Sequence, residues 1–334
     1  MLISLKLTDN CNLKCSYCYE GEHNNGTNMK LSTVNSILNF IERYCRLKNK
    51  DKQIIIGLYG GEPLLKFDLI KYFIDKMKEI EEEYCLDVNY IMTTNGTLLT
   101  NEVIDYIKEN DIALSLSIDG LPKIQNKNRK TIDGGSTSNI IEDKLSYLIE
   151  NMPEVIARMT YTPKTVSFLA EGISYLINAG FKNIKPVPDF FDNTWDNQDV
   201  EVLMEQLKIT MKIVEQNKNI KLMISNLQNP LRKCSKCKGG ISQFYIATNG
   251  DVYPCSYVIG EKNFLIGNVE NIEEFKEERN MNKNYDFKLC KGCTYFQYCD
   301  ASKCIYINYK MTGKEDEPTG FFCRYQQLIY SMRM

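Results

Sequence analysis

The amino-acid sequence predicts an α/β fold built on a parallel sheet. Over residues 2–217, short β-branched runs alternate with longer amphipathic stretches, and six such pairs follow one another. Runs such as Gln53–Tyr59 (QIIIGLY) are apolar almost throughout. Tandem βα units imply parallel strands with right-handed crossovers, and apolar strands suit a sheet buried on both faces. The pattern alone leaves open a doubly wound sheet or a partial barrel.

The βα units can be placed residue by residue. The predicted strands are Leu2–Leu7, Gln53–Tyr59, Val88–Thr93, Ile112–Ile118, Val155–Tyr161 and Asn183–Val187. The predicted helices are Thr33–Leu47, Phe67–Tyr84, Asn101–Lys108, Asn139–Glu150, Val166–Ala179 and Val200–Glu215. Ser32 and Thr100 are predicted N-caps because their hydroxyls can accept from free N–H groups of the first turn. Gly180 is predicted to end its helix.

A different organisation is predicted after about residue 225. Eight of the 13 cysteines fall between Cys234 and Cys323, and the βα alternation stops. Asn249-Gly250 lies between two short β-type runs, which predicts a hairpin with a type I′ turn. We therefore predict two domains, residues 1–225 and residues 226–334, the second being small and cysteine-rich.

Composition excludes several classes of protein. The 334 residues carry 41 Lys+Arg and 43 Asp+Glu, so no net field favours nucleic acid or an anionic membrane. We find no signal peptide and no apolar stretch of membrane-spanning length, which predicts a cytoplasmic protein without a membrane partner. In a reducing compartment, cysteines act as metal ligands or reactive thiols before they form disulfides. The single histidine, His23, excludes zinc sites built on two or three histidines.

Three cysteines, Cys11, Cys15 and Cys18, follow the first strand with CxxxCxxC spacing. Three thiolates on one loop can bind three irons of a [4Fe–4S] cube and leave the fourth iron open. The alternative is a zinc loop with these cysteines and His23 as ligands. The position of these cysteines favours the open cluster over a structural zinc loop, because active sites lie at the carboxyl ends of parallel strands.

The next three strands also end in polar, glycine-containing segments: Tyr59–Pro63 (YGGEP), Thr93–Gly96 (TTNG) and Ser117–Gly120 (SIDG). Together with Cys11–Cys18 (CNLKCSYC), their order and placement resemble the radical S-adenosylmethionine (SAM) superfamily. The resemblance implies a partial (β/α)6 barrel in which the open iron chelates the amine and carboxylate of SAM. It further implies a 5′-deoxyadenosyl radical that abstracts hydrogen from a substrate.

The same resemblance implies which residues contact SAM. Tyr17 and Val187 would lie near the adenine, and Gly60, Gly61 and Glu62 would meet the methionyl amine. Asn95 and Ser117 would line the methionyl and ribose side. Arg129 is a candidate for the carboxylate, the alternative being a solvated arginine in a basic loop. No catalytic acid or base is predicted.

The eight C-terminal cysteines suit two four-cysteine sites, for which two structural zinc ions are one interpretation. Their spacing resembles the SPASM domain of radical SAM enzymes, except that four residues (DASK) separate Cys299 from Cys304 in place of three. The resemblance implies a small α+β domain with two auxiliary clusters, and hence three [4Fe–4S] clusters in total. The implied ligands are Cys234, Cys237, Cys255 and Cys304 for the inner cluster and Cys290, Cys293, Cys299 and Cys323 for the outer one. If Cys234 does not ligate, the inner cluster has an open iron. Cys45 is expected to pack on an apolar helix face, and Cys85 has no assigned role.

Two sub-families compete for the reaction. One comprises maturases of ribosomally made peptides, which form crosslinks such as a Cys thioether. The other comprises anaerobic sulfatase-maturing enzymes, which oxidise Cys or Ser to formylglycine with an aspartate directly after the cysteine of a YPC segment. Here Ser256 follows Tyr253-Pro254-Cys255, and a hydroxyl cannot accept a proton as a carboxylate can. We therefore favour the peptide maturase.

The expected partners follow from that interpretation. They are a peptide substrate, often cysteine-rich in this family, and a flavodoxin- or ferredoxin-type electron donor. Either a separate leader-binding protein or recognition by the barrel and SPASM surfaces is expected, because the first predicted ligand already stands at position 11. The acidic aromatic loop Asp189–Asp199 is either a substrate contact or a solvated loop. The non-enzymatic alternative is a zinc-stabilised binding module.

Overall fold

The computed structural model describes residues 1–21, 26–47, 53–224, 227, 233–235, 237–271 and 285–333. His23, the candidate zinc ligand, and residue 225, the predicted boundary, lie outside these residues, as does the side chain of Cys45. Within these ranges, every helix is too short or too polar to cross the hydrocarbon core of a bilayer.

Twelve strands and nine helices are present in the described ranges. The strands are β1 (Leu2–Lys6), β2 (Leu13–Cys15), β3 (Gln53–Tyr59), β4 (Asp87–Thr94), β5 (Ile112–Ser117), β6 (Arg129–Thr131), β7 (Ile156–Tyr161), β8 (Asn183–Pro188), β9 (Lys221–Leu222), β10 (Gln243–Ile246), β11 (Asp251–Tyr253) and β12 (Gly267–Asn268). The helices are α1 (Leu31–Leu47), α2 (Phe67–Tyr84), α3 (Asn101–Glu109), α4 (Pro122–Asn128), α5 (Ser138–Asn151), α6 (Leu169–Asn178), α7 (Asn197–Gln216), α8 (Ile305–Thr312) and α9 (Gly320–Ser331).

The predicted βα alternation is confirmed. The six predicted strands correspond to β1, β3, β4, β5, β7 and β8, each within one residue of its predicted bounds. Thr100 caps α3 as predicted, since its side chain accepts from the backbone N–H of Val103 at 3.3 Å. The fold is a mixed α/β fold with a large parallel sheet.

Four of the six predicted helix starts differ from the structure. The α5 helix begins one residue early, at Ser138, and α6 begins three residues late, at Leu169, after a 3₁₀ turn over Val166–Phe168. The α1 helix begins at Leu31, so Ser32 lies inside the first turn and its prediction as the N-cap is wrong.

The α7 helix begins at Asn197, three residues earlier than predicted. Asp196 and Asp199 form a reciprocal capping box there, with bonds of 2.9 and 3.0 Å between backbone N–H and carboxylate. Such a pair satisfies two free N–H groups of the first turn and extends the helix to the cap.

The chain forms two compact units, and neither is continuous in sequence. The first unit comprises residues 1–14, 20–114 and 238–283, insofar as they are described. Its parallel strands lie in the order β10–β1–β3–β4, with Leu2 opposite Gln243 on one side and Ile55 on the other. Because β10 pairs with β1, part of the cysteine-rich region, from residue 238 to residue 283 insofar as it is described, belongs to this unit. The two-domain division near residue 225 stays a prediction.

The hairpin predicted at Asn249-Gly250 is present, but its turn differs from the prediction. Strands β10 and β11 pair antiparallel, with Tyr245 opposite Tyr253. Only Gly250 in this turn has a positive φ, of +86°, whereas a type I′ turn requires positive φ at both central residues. The Gly250 N–H instead donates to the carbonyl of Ala247 at 2.9 Å, which makes the loop longer than two residues.

The second unit comprises residues 15–19, 115–237 and 284–334, again insofar as they are described. Strands β7, β8 and β9 are parallel neighbours, and residues 115–117 of β5 pair with β7. The loop after β8 packs against α9: the Trp195 ring stacks on Phe321 with centroids 4.1 Å apart, and Phe190 lies 4.4 Å from Phe322. Trp195 of the acidic loop is therefore buried in this unit, whereas Phe190 and Phe191 are half-buried.

Candidate functional site

The loop that carries Cys11 lies directly against the end of β3. The Gly61 N–H donates to the carbonyl of Thr8 and the Glu62 N–H to that of Asn10, both at 2.9 Å. A Cβ atom on Gly61 would lie 2.2 Å from the Asn10 oxygen, and one on Gly60 would lie 2.5 Å from the Thr8 oxygen. The two glycines are therefore required because the backbones approach too closely for any side chain.

The Glu62 carboxylate joins the ends of β3 and β4. It is 1% exposed and accepts from the Leu64 N–H at 3.1 Å, the Thr94 hydroxyl at 2.7 Å and the Asn95 N–H at 2.7 Å. Burial raises the pKa of this carboxyl to about 7, although the three hydrogen bonds act in the opposite direction. Glu62 thus organises two strand ends of the first unit.

The Asn95 side chain reaches back to the cysteine loop. Its Nδ2 donates to Asn12 Oδ1 at 2.9 Å and contacts Cys11 Sγ at 3.8 Å, while its Oδ1 accepts from the Thr97 N–H at 3.0 Å. The first unit therefore brings together four of the predicted SAM contacts, Gly60, Gly61, Glu62 and Asn95, around Cys11. Their binding of SAM stays a prediction.

Asp119 is the centre of a buried polar cluster in the second unit. This fully buried carboxylate accepts from the Tyr17 hydroxyl at 2.5 Å, from Arg129 Nε at 3.1 Å and from the Thr160 N–H at 3.1 Å. Asn128 Nδ2 donates to it at 3.3 Å. Asp119 lies in the SIDG motif and had no predicted role. Its position at a strand end, ten residues before Arg129, was a signal that the two side chains could form an ion pair.

Arg129 also contacts the segment that carries Cys15 and Cys18. It is 6% exposed, so the prediction of a solvated arginine is wrong. Its guanidinium lies 5.2 Å from the centroid of the Tyr17 ring. Burial raises the pKa of the Cys15 thiol, and Arg129 opposes that effect. The Cys18 N–H donates to the Cys15 carbonyl at 3.2 Å, so both cysteines share one tight turn.

The remaining predicted SAM contacts lie at strand ends in this unit. Ser117 is the buried last residue of β5, and Val187 is the half-buried penultimate residue of β8. Neither has a described side-chain contact that tests its predicted role.

Four C-terminal cysteines of the second unit interact with one another. Burial, together with the charges of Cys299, Cys323 and Cys293, raises the pKa of Cys290 to about 11. Cys293 and Cys290 share a turn, in which the N–H of Cys293 donates to the carbonyl of Cys290 at 3.1 Å. These are the four residues predicted to ligate an outer cluster. Their thiols interact electrostatically, as residues that share one cluster would.

The predicted inner ligands are divided between the units. Burial, together with the charge of the nearby Cys237, raises the pKa of Cys304 to about 11. The Cys234 Sγ lies 2.7 Å from the Tyr298 carbonyl oxygen and 2.9 Å from Asp300 Oδ1, so its single S–H is shared between these two acceptors. Cys255 belongs to the first unit. The four-residue spacer before Cys304 forms a turn, since the Cys304 N–H donates to the Asp300 carbonyl at 2.9 Å.

The donor set suits iron–sulfur clusters in its chemistry. Among the described residues, no group of three His, Cys, Asp or Glu side chains is close enough to hold a single metal ion. A four-iron cube differs from a single-ion site because each cysteine binds a different iron, so its ligands lie further apart. Cys85, left without a role, is exposed and ends α2 with a φ of +51°.

Comparison with protein families identifies both parts of the chain. The Radical SAM superfamily model matches residues 5–167, and the iron–sulfur cluster-binding SPASM model matches residues 234–294. The chain belongs to the radical SAM superfamily of enzymes and carries an iron–sulfur cluster-binding SPASM domain. SAM and iron–sulfur clusters are the cofactors that this membership defines.

Individual relatives agree with this assignment. An uncharacterized protein of Methanocaldococcus jannaschii, MJ0907, is 30% identical, with 81% of this chain and 90% of the relative covered. A cysteine-type anaerobic sulfatase-maturating enzyme of Clostridium perfringens is 24% identical, with 86% and 84% covered.

Solved structures share the fold. Native anSMEcpe with bound AdoMet and Kp18Cys peptide superposes with a TM-score of 0.81 at 20% identity, covering 99% of this chain and 97% of that one. SuiB of Streptococcus suis bound to precursor peptide SuiA gives a TM-score of 0.67 at 15% identity, covering 96% and 75%.

Proposed function

We propose that this enzyme is a radical SAM peptide maturase that forms a crosslink, a Cys thioether, in a ribosomally synthesised peptide. The peptide-bound structures with the same fold support a peptide substrate. The observation that carries the choice of reaction is Ser256, which stands directly after Cys255 where the sulfatase-maturing pattern requires an aspartate. A neutral hydroxyl does not serve as the proton acceptor for that oxidation.

We propose three clusters, with the ligands implied by the sequence. Cys11, Cys15 and Cys18 would hold the SAM-binding cluster, and eight C-terminal cysteines would hold the two auxiliary ones. Bound SAM and the reduced cluster would supply a 5′-deoxyadenosyl radical for hydrogen abstraction. Asn95 contacts the Cys11 loop at Asn12 and is itself held by Glu62, and the backbone of Gly60 and Gly61 would meet the methionyl end of SAM.

Formylglycine formation is the second candidate. The 24% identity to a sulfatase-maturating enzyme over 86% of this chain supports it, and so does the high structural similarity to anSMEcpe. A sulfatase-type substrate would then need a proton acceptor other than residue 256.

Cofactor loading is tested by anaerobic reconstitution followed by iron and sulfide counting. We expect about twelve irons per chain, as three four-iron cubes require. Zinc without iron would contradict the radical mechanism and favour the zinc-stabilised module.

The reaction is tested by incubating the reconstituted enzyme with SAM, a reductant and two peptides, one cysteine-rich and one carrying a sulfatase motif. Loss of two hydrogens together with a blocked thiol, read by mass spectrometry, supports a thioether. Conversion of the sulfatase-motif cysteine to an aldehyde would overturn our preference. Ser256→Asp and Ser256→Ala form a matched pair, because only the aspartate variant gains a carboxylate, so only it should gain aldehyde formation.

The proposed partners are tested in the same assay. We propose a flavodoxin- or ferredoxin-type electron donor and a separate leader-binding protein. Replacing chemical reductant by a reduced flavodoxin should sustain turnover, and peptides with and without their leader should differ in KM when a leader-binding protein is added.

A further inference from the structure

Two cations lie side by side on neighbouring strands of the second unit. Arg158 on β7 and Lys185 on β8 are direct partners in the parallel register of these strands. Adjacent strands are about 5 Å apart, and residues paired across them point to the same face of the sheet. Both side chains are half-buried. Two positive charges are therefore held next to each other where water reaches them only in part.

The face that carries this cation pair is the one away from α6. Met159, next to Arg158 on β7, is 2% exposed. It packs against α6, since a Cβ atom on Gly172 would lie 2.7 Å from its Cε. Successive residues of a strand point to opposite faces of the sheet. Arg158 and Lys185 therefore point to the face opposite α6.

The cation pair lies just below the strand ends that carry two proposed SAM contacts. Ser117, the last residue of β5, is paired with Arg158, and the Ile118 N–H donates to the Arg158 carbonyl at 3.0 Å. Val187 follows Lys185 by two residues, which is a rise of about 7 Å along the same face. A ligand bound by the two cations would therefore lie beside the proposed SAM site.

In the part of the chain that the structure describes, neither cation forms an ion pair or a side-chain hydrogen bond. Glu154, two residues before β7, instead accepts from Asn183 Nδ2 at 3.0 Å. Burial, together with the charge of Arg158, lowers the pKa of Lys185. Two like charges that repel each other cost free energy, and local costs of this kind are typical of functional sites.

We propose that Arg158 and Lys185 bind a carboxylate of the peptide substrate and so select peptides with an acidic group close to the reacting residue. This inference rests on the proposed peptide substrate. A guanidinium donates two parallel hydrogen bonds to a carboxylate, and an ammonium adds a point charge. The carboxylate of SAM is assigned to the open iron, so the anion at the cation pair belongs to the substrate. Its source is an Asp or Glu side chain or the C-terminus of the peptide.

The test is affinity selection by the full chain with its clusters and SAM, read by mass spectrometry. The probe is a mixture of short acetylated peptides with one central cysteine, with and without Asp or Glu, half of them amidated at the C-terminus. The wild type should enrich peptides with a carboxylate about tenfold, the worth of one hydrogen bond to a charged group. In the double variant Arg158→Gln/Lys185→Gln this enrichment should disappear.

The amidated half of the mixture distinguishes the two sources. Enrichment that persists in amidated peptides assigns the carboxylate to a side chain, and enrichment confined to free C-termini assigns it to the terminus. No enrichment by the wild type, or equal enrichment by the double variant, would overturn the proposal.

The double variant Lys130→Gln/Lys182→Gln is the matched control. It removes two positive charges from the same unit, but both lysines are exposed, and solvent and salt screen their charges. It should enrich the same peptides as the wild type. If it also loses the enrichment, overall charge explains the selection and the proposal fails.

A structural role is separated by urea unfolding of Lys185→Met, which keeps the apolar stem and removes the charge. Because a repulsion is relieved and no ion pair is lost, its midpoint should equal or exceed that of the wild type. A lower midpoint would show that the charge stabilises the fold, against the proposal.

Selection does not require turnover, so its outcome is independent of the proposed reaction. Acidic peptides that are enriched but stay unmodified after reductant is added would count against the maturase and leave the cation pair as a carboxylate site. Crosslinked peptides without an acidic preference would support the maturase and overturn the role of the cation pair.

Discussion

The Cys234 thiol donates to the Asp300 carboxylate, with 2.9 Å between Sγ and Oδ1. Burial, followed by this hydrogen bond, raises the pKa of Cys234 to about 12. A cysteine must lose its proton to bind iron, and here the resulting thiolate would face a carboxylate. The surroundings of Cys234 therefore oppose its ligation more strongly than those of Cys304, whose pKa is raised to about 11.

We predict that Cys234→Ala loses much less iron than Cys237→Ala after anaerobic reconstitution. Asp300→Asn should raise the iron content held at pH 7, because it removes the opposing charge. Iron per chain, normalised to protein by amino-acid analysis, is the measurement. Equal iron loss in the two alanine variants would show that Cys234 is as firm a ligand as Cys237.

The four interacting cysteines predict a defined change in iron content. Cys299→Ala should lower it by about four irons per chain, because a four-iron cube loses one of its four thiolates. Cys85→Ala is the matched control, since Cys85 is exposed at the end of α2, and its iron content should equal that of the wild type. If Cys299→Ala retains as much iron as the Cys85→Ala control, Cys299 is not a ligand of the outer cluster.

Gly61→Ala should destabilise the first unit by about 2 kcal/mol, a typical cost of overpacking. The added Cβ would lie 2.2 Å from the Asn10 oxygen, so the cysteine loop must move away from β3. Gly320→Ala is a suitable control, because the nearest atom to its Cβ is 3.8 Å away. Urea unfolding followed by circular dichroism measures both. If the two variants unfold at the same urea concentration, the close approach at Gly61 has no energetic weight.

Glu62 predicts a pH dependence of stability. Its pKa is about 7 in the folded protein against an ordinary 4.5, so between these values the folded state binds more protons than the unfolded state. The free energy of unfolding should therefore fall as the pH rises from about 4.5 to about 7, at up to about 1.4 kcal/mol per pH unit. In Glu62→Gln this contribution to the slope should disappear. A slope unchanged in Glu62→Gln, from urea unfolding of the metal-free chain at several pH values, would assign it to other groups.

The sequence was sufficient for elements whose signals are local. The β3 strand and the α2 helix match their predicted bounds because an apolar β-branched run and an amphipathic period each identify one element. Helices α8 and α9 were not placed by residue, although an α+β fold was expected for the second domain. The pairing of β10 with β1 joins residues about 240 positions apart, which no local pattern can indicate.

The residues of the candidate site were predictable where a motif marks the end of a strand. The side-chain contacts that join those strand ends were not. Glycines and cysteines were found by spacing, and Glu62 and Asn95 came with their motifs. Their actual contacts, to Thr94 and to the Asn12 side chain, depend on how two strand ends meet. Asp119 was missed as the centre of a cluster because its partners come from three separate segments of the chain, around residues 17, 128–129 and 160.

The stacking of Trp195 on Phe321 provides an intrinsic fluorescence probe of unfolding. Trp195 is the only tryptophan in the sequence, is 6% exposed and lies within the second unit. In the metal-free chain, indole fluorescence therefore reports the unfolding of that unit alone, whereas circular dichroism reports helices and strands of both. A difference between the two unfolding curves would measure how independently the two units melt, without a label and without a single substitution.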